Sequence, residues 1–104
     1  MNSVNLQGNI ASEIELRSVG GDNTVARVLV AVDRPGKDKG RDFVRVTLWN
    51  DTARNVERYL GKGSKVLIEA RIRGNWYEGK DGKNNLGMEV VANRVTFLDS
   101  KKAA

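Results

Sequence analysis

The chain has 104 residues, 39% of them hydrophobic and 30% charged, which is room for one small domain with a single core. Cysteine and histidine are both absent, which excludes disulfide staples, thiolate nucleophiles, zinc held by Cys or His, and every Ser-His or Cys-His mechanism. Eighteen Lys and Arg against thirteen Asp and Glu leave a net charge of +5, an excess that draws a polyanion more readily than a neutral partner.

No run of about 18 apolar residues is present to span a bilayer, and Met1 to Leu6 lacks the basic and apolar regions of a signal peptide, so an intracellular protein is expected. A chain this short buries only about two-thirds of its unfolded surface, so an oligomer is expected as well.

In chain order, Val4, Leu6, Gly8 and Ile10 alternate with Asn5, Gln7 and Asn9 at the period of a half-buried strand. Ile14 and Leu16 resume the alternation after a break at Ala11-Ser12, which predicts one long bent strand. After the turn cluster Gly20-Gly21-Asp22-Asn23, Thr24 to Asp33 is valine-rich and apolar on both faces. Such a strand is covered on both sides, and the second cover is expected from another subunit. Arg34 to Arg41 holds the only proline and four cations and reads as a solvated loop. Asp42 to Trp49 is the third strand. Asn50 or Asp51 is expected to cap a short helix in which Ala53, Val56 and Leu60 follow helical spacing, with Gly61 as its stop. Lys65 to Tyr77 is a long strand, Glu78 to Asn85 a hairpin tip, and Leu86 to Leu98 the returning strand. This order predicts an all-β fold, a five-stranded oligonucleotide-binding (OB) barrel with one short helix between strands 3 and 4, rather than a sandwich of about seven strands. It occupies a single domain over residues 1–98, followed by a short polar tail over 99–104.

The third strand places Val44, Val46 and Leu48 on one face and Phe43, Arg45, Thr47 and Trp49 on the other. The aliphatics belong to the core. Two aromatics flanking an arginine on the outer face suit bases stacking on the rings and a phosphate on the guanidinium. The competing assignment packs Phe43 and Trp49 under loops or against a subunit, since aromatics also favour interfaces. In the next strand Val66, Ile68, Ala70 and Ile72 face inward, and Glu69, Arg71 and Arg73 outward. Strict counting turns Trp76 inward, but Gly74 is where a bulge could switch faces, and Trp76 is assigned outward; without a bulge Tyr77 takes the outward place. Lys80 and Lys83 on the hairpin tip, with Lys37, Lys39 and Arg41 on the earlier loop, would fence a groove across that surface.

Duplex readers usually offer a groove-sized helix, whereas the one helix here is short and engaged in packing, so a single strand is the expected ligand. Glu13 and Glu15 share a face but have no further carboxylate or histidine to work with. Gly61-Lys62-Gly63-Ser64 closes a helix where a phosphate loop must open one. No metal, cofactor or catalytic site is expected. The rival classes are a structural module that binds a polypeptide through its aromatics and a nuclease with Asp and Glu metal ligands.

Through Val4 to Ile10, Val44 to Trp49, Ala53 to Leu60 and Lys62 to Ala70, the chain resembles the bacterial and phage single-stranded DNA-binding protein family over nearly its whole length. The run Tyr59-Leu60-Gly61-Lys62-Gly63-Ser64 is the most specific, being similar to that family's turn between helix and fourth strand. The resemblance implies an OB barrel, a dimer or tetramer with the tetramer expected over the dimer, and non-catalytic, sequence-tolerant binding of single-stranded DNA in replication, recombination and repair. It implies a cytoplasmic setting, at the bacterial nucleoid or in a phage- or plasmid-infected cell. By position it implies base stacking on Phe43, Trp49 and Trp76, with Phe43 where the family commonly has tryptophan and Trp49 where it commonly has phenylalanine. The connection Arg73-Gly74-Asn75-Trp76 is shorter and less basic than the family's. Ser100 to Ala104 stands where the family carries a long segment and an acidic tip that recruits replication proteins, so recruitment is not expected, and a shortened chain or a specialised short member is implied. A related resemblance, to the small dimeric primosomal replication protein N, implies single-strand binding within a helicase-loading complex. The stacking trio favours the first family and the short length the second.

Overall fold

In the computed structural model, which describes residues 1–37 and 40–99, the alternation of the first residues becomes β1 (Val4–Ile10). There follow β2 (Arg17–Ser18), β3 (Thr24–Asp33), β4 (Arg41–Trp49), the helix α1 (Asn50–Tyr59), β5 (Lys65–Glu78) and β6 (Asn84–Phe97). Lys39 and residues 100–104, on which a groove cation and the end of the tail were expected, lie outside the described residues. The strands run in the order β1-β5-β6-β4-β3-β2, and β1 also pairs with β3, which closes a barrel of five strands: β1, β3, β4, β5 and β6. With the helix between its third and fourth strands, this is the OB fold.

Closure depends on β1 serving two neighbours. It pairs from Val4 to Asn9 with β5, and at Asn9 and Ile10 with Ala31 and Val30 of β3. The bend brings backbone against backbone, since a Cβ at Gly8 would stand 2.1 Å from the Ala31 carbonyl oxygen. The long bent strand of the sequence pattern is interrupted: β1 ends at Ile10, and pairing resumes only where Arg17 and Ser18 meet Val25 and Thr24. Ser12 accounts for the break. Its hydroxyl accepts the Leu29 N–H at 2.9 Å while the Ala11 N–H donates to the Leu29 carbonyl at 2.8 Å, so a side chain replaces a ladder partner. Ile14 still packs on the core.

β3 pairs with β4 from Val25↔Trp49 to Asp33↔Arg41. Its inner residues Ala26, Val28 and Val30 join Val46, Leu48, Val66, Ile68 and Ala70 in the core. Part of the cover expected from a second subunit is supplied within the chain. On the outer parity of β3, Val25 and Ala31 are already 1% and 3% exposed, with Ala31 lying against Gly8.

The helix closes one end of the barrel with Ala53, Val56 and Leu60, all buried. Its caps differ from expectation. Trp49 occupies the N-cap position with no side-chain cap, and Asn50, at φ 51°, turns its amide to β3, where it accepts the Thr24 N–H at 2.9 Å. Asp51 is taken by Arg54 at 2.6 Å. At the other end Leu60, not Gly61, stops the helix. It turns extended (φ −123°) into the core while its N–H still reaches Val56, and the glycine with positive φ is Gly63, at 97°. Gly61 instead donates to the Ser64 hydroxyl at 3.0 Å.

β5 and β6 pair from Val66↔Phe97 to Glu78↔Asn84, and the hairpin tip contracts to residues 79–83. Val66, Ile68 and Ala70 are buried, but every β5 residue from Arg71 to Glu78 is exposed. There the two strands leave the barrel as a projecting two-stranded arm.

Candidate nucleic-acid interface

β4 runs through the middle of the sheet, and its alternation sorts its side chains. Val46 and Leu48 are 0% and 1% exposed and Val44 packs against the same core, while Phe43 is 62% exposed and Arg45 is exposed beside it. Thr47 and Trp49 share the outer parity but are buried and half-buried. The two halves differ because β4 meets β6 only at Val46↔Val90 and Thr47↔Val91, as a short parallel pair. Before Val46 the strands diverge. The opening between them is a groove of about 390 Å³, with Phe43, Val44 and Arg45 on one side, Ile72, Met88, Glu89 and Val90 on the other, and Thr47 and Arg27 completing the lining. At the point of divergence the Thr47 hydroxyl lies 2.8 Å from Oε2 of Glu89.

The bulge anticipated at Gly74 is absent. Pairing passes through Gly74↔Met88 without a shift, and the one register shift falls between Glu69 and Ala70, where Asn93 of β6 is the extra residue. The side-chain Oδ1 of Asn93 accepts from the Arg71 guanidinium. Trp76 therefore keeps the parity of Ile72, opposite Leu86, yet it is 71% exposed. The physical reason is that the inward parity leads into a core only while the strand remains in the barrel. Beyond Ala70 it leads into the open, so Ile72, expected inside, is 41% exposed and lines the groove. Tyr77 shares the other face of the arm with Arg71 and Arg73, and its ring covers Gly87, where an added Cβ would meet it at 3.1 Å.

Of the residues singled out in the sequence, the structure brings Phe43 and Arg45 into one groove, with Trp49 farther along the same strand face, roughly 20 Å at strand rise. Trp76 lies on one face of the arm and Arg71 and Arg73 on the other, and Lys80 and Lys83 stand exposed at its tip. Lys37 is exposed. Arg41 is paired with Asp33 at 3.0 Å, which offsets part of its charge. Among the described residues no ion pair engages Arg27, Arg45 or Arg73. Arg27, Met88 and Glu89 escape the sequence reading. Arg27 is directly opposite Thr47 in the β3–β4 register, a juxtaposition visible only once the strands are paired.

The outer β4 face and projecting arm of this OB barrel combine exposed rings with arginines, of which Arg45 and Arg73 are engaged by no ion pair among the described residues, features that suit a flat-based, extended anion. The profile of the single-strand binding protein family matches residues 1–98. The chain is 38% identical to single-stranded DNA-binding protein B of Bacillus subtilis, over 96% of this chain and 92% of that protein. It is likewise 38% identical to single-stranded DNA-binding protein 3 of Listeria innocua, over 98% of this chain and 66% of that protein, and 35% identical to the single-stranded DNA-binding protein of Oceanobacillus iheyensis, over 97% and 65%. The chain belongs to the single-strand binding protein family. It spans about two thirds of the length of the Listeria and Oceanobacillus relatives.

Proposed function

We propose that this chain binds single-stranded DNA with little regard to sequence and protects strands exposed in replication, recombination and repair, as a non-catalytic cytoplasmic homo-oligomer. The observation that carries this reading is Phe43: a ring 62% exposed on the outer face of a central strand, lining a groove beside Arg45, which no ion pair engages among the described residues. Bases stack on Phe43, Trp49 and Trp76, while Arg45, Arg71, Arg73, Lys80, Lys83 and the loop cations Lys37, Lys39 and Arg41 neutralise phosphates. Arg71 and Arg41 contribute less, being already engaged by Asn93 and Asp33. Among the described residues the edge of β1 away from β5 is paired only at Asn9 and Ile10, which leaves ladder groups for a neighbouring copy and supports self-association; the tetramer is proposed over the dimer from the family resemblance alone. No helix among the described residues is long and apolar enough to cross a membrane.

Fluorescence anisotropy with labelled single and double strands of one sequence tests this reading. The single strand is expected to bind more tightly, with log K falling against log salt by roughly 0.7 per phosphate neutralised, or about fivefold per engaged cation for each tenfold rise in salt. Equal affinity for duplex, or binding indifferent to salt, would refute it.

A further inference from the structure

The β1–β5 ladder ends at Val4↔Ala70, and its next rung would set Asn2 against Ile72. That rung is made, but by a side chain. The Ile72 N–H donates to Oδ1 of Asn2 at 2.9 Å, and Nδ2 of Asn2 donates to the Ile72 carbonyl at 2.6 Å. A side-chain amide offers the same acceptor and donor as a peptide group, so Asn2 continues the sheet past the end of β1. On the other edge of the hairpin Ile72 is paired with Val90, and Val90 meets Val46 of β4. Asn2, Ile72, Val90 and Val46 thus form one cross-section at which the root of the arm is held from both sides. Beyond it, among the described residues, no ladder pair joins the arm to the barrel.

A two-stranded hairpin standing alone in water is only marginally ordered, so the direction of this arm depends on what holds its root. Ile72 and Val90, the two hairpin residues of that cross-section, line the groove across from Phe43 and Arg45, and Trp76 follows Ile72 on the same face of β5. Asn2 does not line the groove, is uncharged and reaches it only through Ile72. We propose that Asn2 is a positioning residue for the bound strand: by holding Ile72 it sets the far wall of the groove and the place of the Trp76 ring, so that a strand stacked on Phe43 meets the arm already in position. This rests on the single-strand reading above. Time that the arm spends in other directions lowers the apparent affinity in proportion to the competent fraction lost.

The test follows Trp76 in a Trp49→Phe background, where it is the one remaining indole. In the free protein Asn2→Ala is expected to lower the fluorescence anisotropy of Trp76, as the arm gains freedom, with little change in thermal midpoint because both bonds are exposed. Affinity for a polypyrimidine strand is expected to fall about fivefold, and Asn2→Gln, which keeps both polar groups on a longer stem, to recover part of it. In a Trp76→Ala background the same Asn2→Ala change should cost little, since no ring is left to place. An equal loss with and without the Trp76 ring would reduce Asn2 to a general stabiliser and overturn the proposal, as would an unchanged Trp76 anisotropy in the free protein. A protein that bound no strand even with Asn2 in place would overturn the single-strand reading itself, and the role of Asn2 in placing a strand with it.

Discussion

Replacing Phe43 with alanine is expected to weaken single-strand binding by about 1–3 kcal/mol, roughly 5- to 150-fold in Kd, while leaving the fold intact. The ring is 62% exposed, so its removal opens no cavity in the core. The β4 register around it is held by the pairing of Phe43 with Ala31 and by Val44 and Val46 on the inner face. What is lost is the stacking face beside Arg45. Phe43→Leu restores apolar area but no π face and is expected to recover only part of the affinity. Adding Trp76→Ala removes a second platform, on a separate element, and the losses should approach additivity. Anisotropy titrations beside thermal unfolding of each variant check this. A Phe43→Ala protein with undiminished DNA affinity would favour the rival in which the exposed rings hold a polypeptide.

Gly8→Ala is expected to be the most damaging single methyl addition in the barrel. The new Cβ would stand 2.1 Å from the Ala31 carbonyl oxygen, a backbone atom that cannot rotate aside as a side-chain tip could. Relief requires β1 to part from β3 at Asn9↔Ala31 and Ile10↔Val30, the pairs that close the barrel. Overpacking of this kind costs about 1–3 kcal/mol and more where the neighbour is rigid. For a domain of this size each kcal/mol lowers the thermal midpoint by roughly 4–8 °C. Circular dichroism melts measure the effect. An unchanged midpoint would contradict a closed seam at Gly8.

The barrel was legible because its strands alternate and its turns are marked. Thr24–Asp33 appears with the bounds its valines suggested, and β4 differs from its expected span only by Arg41. The misreadings share a cause, which is that local pattern does not reveal which tertiary partner a group finds. Ser12 interrupts the first strand by bonding across to Leu29, and Asn50 forgoes its own helix to hold Thr24. Leu60 ends the helix because the core takes its side chain, not because a glycine follows. Of the site, the outer face of β4 could be read from parity alone, but the arm could not. Counting faces along β5 assumed a barrel on one side throughout, and beyond Ala70 there is none, so Ile72 and Trp76 are exposed on the parity that had been assigned inward. Glu89 reads as an ordinary solvated charge on an alternating strand until Thr47, far from it in sequence, is found beneath it.

On the proposed reading one strand of DNA lies across the β4 face and the arm together, and the two tryptophans report on those two places separately. In Trp76→Phe the remaining indole is Trp49 at the far end of β4, and in Trp49→Phe it is Trp76 on the arm. Titrating each single-tryptophan protein at low salt with a polypyrimidine strand should quench both indoles over the same concentration range, as stacking on each platform requires. Quenching of neither indole, or of only one at saturation, would contradict a strand path that joins the two.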